Sequence, residues 1–248
     1  MSEKSCLIIA GEKSGEEHAL SFFNDLKKAS PQTTFFGVGG DELKREGLEL
    51  LYHLNDFSSW GYSEVITKIP FYKKAMDHIV HEVQRRNTKT AILVDFQSFN
   101  MKLAGRLKEI GVNVLYYVAP QAWAWKEYRV KKLARTVHTL FTIIPFEKKW
   151  FLERGVPRVI SVDHPLWTTY KNDLMNFQKQ GQHSPVRLLL LPGSRKFEVA
   201  GLLPIFIESI RHMRKEFLVH VSIVKSNSVP EELFAPYNAE FDQEYSNE

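Results

Sequence analysis

The sequence predicts an α/β protein with parallel sheets that are covered by helices. Short apolar runs of about five residues alternate with helix-like segments of about 10–15 residues. Several runs end abruptly on glycine or on a polar residue, as strand-to-helix turns do. The chain has 248 residues, of which 44% are hydrophobic and 25% are charged, and this is the composition of an ordinary globular protein.

The bulk composition limits the partners and the compartment. A formal charge of +4 favours anionic partners such as phosphates or acidic lipid, but no block of Lys and Arg is dense enough to predict nucleic-acid binding. Cys6 is the single cysteine, so no disulfide can form within the chain. No stretch approaches the roughly 20 apolar residues that span a bilayer, and the N-terminal apolar run is too short for a signal peptide. We therefore expect a cytosolic protein.

The first two predicted strands end in glycine-containing turns. Ser5–Ala10 runs into Gly11–His18 and then into a helical pattern, and Thr33–Gly40 precedes a charged helix over Asp41–Glu46. Such corners suit anions because free backbone N–H groups point outward. The first turn lacks the third glycine of a dinucleotide fingerprint and the Gly-Lys-Ser/Thr of a P-loop. Ordinary turn chemistry is the alternative interpretation of both corners.

The segment Phe57–Met76 interleaves apolar and aromatic residues with lysines. This mixture is typical of a membrane-surface or acyl-chain patch, and packing against the sheet is the alternative. The residues assigned to the patch are Trp60, Tyr62, Val65, Ile66, Ile69, Phe71 and Tyr72.

The centre of the prediction is the pair of segments Ala91–Asn100 and Asn113–Trp125. Each begins as a buried strand, and the first ends on Asp95, whereas the second ends on Gln121 and two tryptophans. Open α/β sheets hold their ligands just past the carboxyl ends of such strands. A helix N-cap is the alternative role of Asp95, and the core is the alternative place of the tryptophans.

The rest of the chain continues the alternation. Lys126–Arg135 is a basic helix that either faces solvent or faces phosphate, and Asp163-His164-Pro165 follows a strand at Val159–Ser161. A polar linker then leads to strand Val186–Leu191, a Gly-Ser-Arg turn and a helix, and the arginine is placed to reach a phosphate. The predicted divisions are a first domain at 1–170, a linker at 171–185 and a second domain at 186–248.

Eight segments together resemble the lipid-A-disaccharide synthases, a family of glycosyltransferases. They are AGEKSGEEHA (10–19), GVGGDELKREG (37–47), WGYSEV (60–65), DFQSFN (95–100), YYVAPQAWAW (116–125), PFEKKWF (145–151), DHPL (163–166) and LLPGSRKFEV (190–199). They occur in the family's order over nearly the whole chain. The YYVxPQxWAW and LLPGSR segments are the most specific of them.

The resemblance implies a GT-B-like architecture of two Rossmann-like domains. The first would hold 2,3-diacylglucosamine 1-phosphate and the second UDP-2,3-diacylglucosamine, and the sugar would be transferred with inversion to the acceptor's 6-hydroxyl. No metal and no cofactor are expected, because the UDP-sugar is a substrate. The enzyme would lie at the anionic inner face of the cytoplasmic membrane as a peripheral protein.

The resemblance also implies the site residues. Asp95 would be the base that takes the acceptor's hydroxyl proton. Substrate contacts are expected from Ser14, Gly15, Glu16, Gly39, Gly40, Asn100, Gln121, Trp123 and His164. The donor's phosphates are expected at Gly193, Ser194, Arg195 and Glu198, since positive charge and backbone donors stabilise a departing diphosphate.

The sequence departs from the family's pattern in identity and in length. Glu16 replaces an aspartate, Gln97 and Ser98 replace Pro-Asp, and Asp163 replaces a glycine. The expected donor domain is only partial, so a split enzyme, a decayed product and a shortened acceptor module are all open. The alternative function is therefore an acceptor-lipid-binding subunit that needs a second chain to complete the donor domain. A nicotinamide-dependent enzyme is disfavoured by the glycine spacing.

Overall fold

The structure is a computed structural model that describes residues 4–57, 69–175, 185–227 and 229–247. Contacts divide the chain into two compact units, Met1–Met175 (unit 1) and Asn176–Glu248 (unit 2). Each unit contains one parallel sheet with its own hydrophobic core. The predicted α/β class is therefore confirmed.

Unit 1 is built on a seven-stranded parallel sheet in the order β3-β2-β1-β4-β5-β6-β7. The strands are β1 Lys4–Ala10, β2 Thr33–Gly39, β3 Glu49–His53, β4 Thr90–Val94, β5 Asn113–Tyr117, β6 Thr139–Thr142 and β7 Val159–Ser161. The helices are α1 Lys13–Ala29, α2 Asp41–Arg45, α3 Leu54–Phe57, α4 Ile69–Arg85, α5 Gln97–Glu109, α6 Arg129–Thr136, α7 Glu147–Glu153 and α8 Pro165–Met175.

The central strands are buried on both faces, which explains why they appear as continuous apolar runs. In β1, Leu7 and Ile9 join one core cluster, and Ile8 and Ala10 join the other. Gly37 in β2 has a φ of +147°, and an added Cβ there would lie 1.9 Å from the carbonyl oxygen of Ile8. Glycine is therefore required where β2 approaches β1.

The strand order reverses between β1 and β4. The chain proceeds from β1 to β2 and β3 on one side of the sheet, and from β4 to β7 on the other. At such a reversal the connections diverge and leave a crevice at the carboxyl ends of the strands, where open α/β sheets bind ligands. The turns that follow β1 and β4 lie at this reversal point.

The described residues of unit 2 form three parallel strands in the order β10-β9-β8. They are β8 Val186–Leu190, β9 Val219–Ser226 and β10 Gln243–Asn247, with helix α9 at Lys196–Met213 and two 3₁₀ helices at Glu231–Leu233 and Ala235–Glu240. One sheet face packs on α9 through Val199, Leu203 and Ile207. The opposite face carries exposed side chains, including Leu189 and Tyr245.

The structure adds elements that the sequence did not predict. Strands β3 and β10 were not expected, and α8 extends to Met175, so the first five residues of the predicted linker are helical. Pro70 occupies the first turn of α4, where its missing N–H costs no intrahelical hydrogen bond. Within the described ranges, no helix has both the length and the apolar character that crossing a membrane requires.

Candidate active site

Asp95 lies in a strained turn directly after β4. Asp95 and Phe96 have φ angles of 45° and 44°, a left-handed conformation that is uncommon for residues other than glycine. Phe96 is the N-cap of α5, and no side chain caps that helix. Asp95 therefore does not have the N-cap role that was its alternative interpretation, and its carboxylate stands outside the helix.

Two buried side chains hold this turn in place. The Nδ2 of Asn100 donates to the carbonyl oxygens of Val94 and Asp95, at 3.1 and 2.9 Å. The hydroxyl of Tyr116 donates to the same carbonyl of Asp95, at 2.9 Å. Asn100, which the sequence assigned to substrate contact, is fully buried in the structure and positions Asp95.

The electrostatic surroundings make Asp95 a stronger base than an exposed aspartate. Burial raises the pKa of its carboxyl group, while the charge of His18 and a hydrogen bond from the N–H of Phe96 lower it in part. The pKa of His18 is lowered, chiefly by burial, although the charge of Asp95 opposes that shift. A carboxylate whose pKa is raised binds a proton more readily and therefore suits general-base work.

His18 is a site residue that the sequence interpretation did not assign. Its ring lies 5.8 Å from that of His164, centroid to centroid, and its charge interacts with that of Asp95. Within the described residues, its Nδ1 is buried without a hydrogen-bond partner. His18 follows Ser14 by one helical turn and so shares its side of α1. The four-residue spacing from Ser14 was the feature of the sequence that could have identified His18. The structure thus groups His18, Asp95 and the predicted His164.

Glu16 and Gly40, both predicted to bind substrate, pack against each other. The Glu16 carboxylate is 2% exposed, accepts a hydrogen bond from the N–H of Leu43 at 3.1 Å and lies 3.3 Å from the Nζ of Lys13. An added Cβ at Gly40 would lie 2.4 Å from the same carboxylate. The Glu16 carboxylate is therefore hydrogen-bonded to the first turn of α2. In the structure the pair serves packing and capping, and a substrate contact of Glu16 and Gly40 stays a prediction.

The other predicted residues of the glycine turns and of the segment after β5 have different surroundings. Gly15 and Gly39 are buried, whereas Ser14 and Gln121 are exposed. The Nε1 of Trp123 donates to the Glu147 carboxylate at 2.9 Å, and burial raises the pKa of that carboxyl. Trp123 is partly exposed, so its indole is anchored at one edge and accessible at the other.

The predicted membrane patch lies mostly outside the described residues, since Trp60, Tyr62, Val65 and Ile66 fall in 58–68. Of the remaining members, Phe71 and Tyr72 pack against the core of unit 1, and the Tyr72 hydroxyl donates to the carbonyl of Phe57 at 2.9 Å. The packing alternative therefore describes these two residues. Ile69 is 58% exposed.

In unit 2, the predicted phosphate corner is a closed hydrogen-bonded turn. The Glu198 carboxylate accepts from the backbone N–H groups of Ser194 and Arg195, each at 3.1 Å, and pairs with the Arg195 guanidinium at 3.2 Å. Gly193 has a φ of +114°, and an added Cβ there would lie 2.6 Å from Glu198. The four predicted residues are thus adjacent, and Glu198 already bonds the N–H donors that an anion would use.

The chain matches a known family along almost its whole length. The profile of the lipid-A-disaccharide synthetase family matches residues 6–246. The lipid-A-disaccharide synthase of Myxococcus xanthus is 36% identical over 85% of this chain and 56% of its own length. That of Nitrosococcus oceani is 34% identical over 84% of this chain and 55% of its own length. The chain therefore spans about half the length of these curated relatives.

Solved structures with little sequence similarity share the fold. A protein assigned as a UDP-N-acetylglucosamine 2-epimerase from Listeria monocytogenes matches with a TM-score of 0.66 at 10% identity, covering 100% of this chain and 69% of that protein. The UDP-GlcNAc 2-epimerase of Neisseria meningitidis matches with a TM-score of 0.56 at 12% identity, covering 98% of this chain and 72% of that protein. These matches support the predicted GT-B-like fold class and carry no information on activity.

Proposed function

Because the chain belongs to the lipid-A-disaccharide synthase family, we propose that it transfers 2,3-diacylglucosamine from UDP to the 6-hydroxyl of 2,3-diacylglucosamine 1-phosphate. Asp95 is the observation that carries the proposal. It is a half-buried carboxylate with a raised pKa, and it is held in a strained turn at the reversal point of the sheet. Backbone strain of this kind is retained where function requires it.

The chemistry follows from the surroundings of Asp95. Its carboxylate takes the proton of the acceptor hydroxyl as that oxygen attacks the anomeric carbon of the donor sugar. The bond from the anomeric carbon to the diphosphate oxygen breaks on the opposite face, so the configuration inverts. His18 adjusts the basicity of Asp95 through its charge, and Asn100 and Tyr116 hold the turn.

The test is transfer activity of the Asp95→Ala variant. We expect a loss of about 10²–10⁴-fold in the rate, the usual contribution of a positioned general base. Binding of the acceptor should be retained. Asp25→Ala is the matched control, because Asp25 is an exposed carboxylate on α1. Turnover by Asp95→Ala equal to that of the control would contradict the proposal.

A second candidate function is supported by the sheet of unit 2, where α9 covers one face only among the described residues. In this alternative, the chain is an acceptor-lipid-binding subunit, and a second chain completes the donor domain. Titration of the isolated chain with UDP separates the two functions. Micromolar or tighter binding of UDP would exclude the subunit alternative, and its absence together with retained acceptor binding would support it.

We also propose that the protein associates peripherally with the anionic inner face of the cytoplasmic membrane. The exposed Ile69 at the start of α4 and the exposed Lys131, Lys132 and Arg135 of α6 support this proposal. Co-sedimentation with vesicles should increase with their content of anionic lipid and should fall as salt is raised, since charges at the surface are screened. Binding that does not respond to salt would contradict the electrostatic part.

A further inference from the structure

Arg129, at the start of α6, is the only arginine that is buried within the described residues. It is 9% exposed, and its Nη1 donates to the Oε1 of Gln97 at 2.6 Å. No carboxylate lies within ion-pair distance of it among the residues that the structure describes. A buried charge is costly unless an opposite charge compensates it. The neutral amide of Gln97 does not supply that charge.

Lys126 brings a second cation to the same place. Its Nζ lies 3.8 Å from the ring centroid of Trp125, and the Arg129 guanidinium lies 5.6 Å from the same centroid. Glu127, the acid nearest in sequence, is paired with Arg154 at 2.7 Å instead. Two cations therefore border one indole, and the adjacent carboxylate is engaged elsewhere. This arrangement attracts an anion.

The two cations lie at the carboxyl edge of the sheet, beside the Asp95 turn. Gln97 is the first residue of α5, two positions after Asp95. The charges of Arg129 and Asp95 both act on the pKa of Tyr116, whose hydroxyl bonds the carbonyl of Asp95. Of the five described non-glycine residues with positive φ, four are in this region: Asp95, Phe96, Val118 and Lys126. Strain is thus concentrated around one site.

The available donors fit an anion with several oxygens. The guanidinium of Arg129 has N–H groups beyond the one that Gln97 accepts, and the Gln97 amide keeps its NH₂ as a donor because its oxygen is used. Lys126 adds a mobile point charge. A phosphate monoester offers three acceptor oxygens and close to two negative charges near neutral pH.

We propose that Arg129, Lys126 and Gln97 form a binding site for a phosphate monoester on the acceptor sugar, next to the Asp95 base. The proposal rests on the proposed function in one respect, namely that the acceptor is a sugar 1-phosphate. The site would anchor the acceptor by its phosphate while its hydroxyl approaches Asp95. The exposed part of Trp125 would flank the sugar.

The experiment measures binding by the full chain with three probes: glucosamine 1-phosphate, glucosamine and inorganic phosphate. We expect the wild type to prefer the sugar phosphate over both others. Arg129→Gln should weaken that binding by about tenfold or more, as expected when a hydrogen bond to a charged group is lost. Arg129→Lys should retain part of the affinity, and Lys126→Gln should lose a smaller factor. Arg158→Gln is the control that removes an equal charge from an exposed position.

Three results would overturn the site. They are equal binding of glucosamine and its phosphate by the wild type, equal binding of inorganic phosphate and the sugar phosphate, and a loss in Arg158→Gln that matches the loss in Arg129→Gln. Lys126→Gln keeps the test decisive if Arg129→Gln unfolds, because Lys126 is partly exposed. The assay needs no turnover. If the chain prefers the sugar phosphate but transfers no sugar, the proposed function alone is refuted. If the chain transfers sugar and the KM for the acceptor is the same in Arg129→Gln and Lys126→Gln as in the wild type, the site alone is refuted.

Discussion

At the scale of single residues, the candidate site depends on the buried neighbours that set the pKa and the position of the Asp95 carboxylate. Asp95 was identified from the sequence because a carboxylate directly after a buried apolar run marks the carboxyl end of a strand. Its left-handed backbone and its supporting hydrogen bonds were not predictable, since they depend on Asn100 of α5 and Tyr116 of β5 both reaching the carbonyl of Asp95. His18 was missed because its relation to Asp95 arises only when β1 and β4 become neighbours.

The electrostatic interaction between His18 and Asp95 leads to a prediction for the pH dependence of transfer. The charge of His18 lowers the pKa of Asp95, so His18→Gln should raise that pKa further. The base is active only when deprotonated, and the acid limb of the kcat/KM profile should therefore move to higher pH. The rate on the alkaline plateau should change little. His212→Gln, an exposed histidine in unit 2, is the control. An acid limb that stays in place would contradict the electrostatic role.

At the scale of elements, the strands that the sequence predicted and those it missed differ in burial. β1, β4 and β5 are apolar runs because both faces of the central sheet are covered. β3 lies at one edge and has four half-buried residues, and β10 has exposed polar side chains, so neither shows a continuous apolar pattern. The role of Glu16 in the first turn of α1 was not predictable from the sequence either, because its partner Leu43 lies in α2, which is remote in sequence.

The start of α9 gives a prediction on stability. Glu198 accepts hydrogen bonds from two backbone N–H groups and pairs with Arg195, which closes a capping box. Glu198→Ala should destabilise unit 2 by about 1 kcal/mol, the usual cost of losing a helix cap. Hydrogen exchange of the first-turn amides of α9 should become faster. Glu208→Ala on the exposed side of the same helix is the control. Equal exchange in the two variants would show that the cap contributes nothing.

At the scale of the whole molecule, the two units differ in how their parallel sheets are covered. In unit 1, β1 pairs with β2 on one side and with β4 on the other, and helices cover both faces. In unit 2, β8 has one strand neighbour among the described residues, and α9 covers one face only. All-parallel sheets are normally covered on both faces. Within the described residues, one face of the sheet in unit 2 is therefore left open to solvent.

The uncovered face of unit 2 provides the last prediction. Leu189 is 57% exposed and Tyr245 is 51% exposed, and they line an open depression of about 420 Å³. An apolar face of this kind promotes association with another polypeptide. The isolated chain should therefore self-associate as its concentration rises, and Leu189→Glu should reduce the association seen in sedimentation velocity. The melting temperature should hardly change, because this side chain is already in water.

Leu202→Glu is the matched control, because it places the same charge on an exposed leucine of α9 rather than on the sheet. Equal effects of the two variants would assign the association to general surface hydrophobicity. A selective effect of Leu189→Glu would assign it to the sheet face. If a polypeptide with the remaining part of the relatives' length is then added, the amides of β8 should exchange more slowly in the wild type than in Leu189→Glu. Protection of β8 that is the same in both chains would show that this face does not bind the added polypeptide.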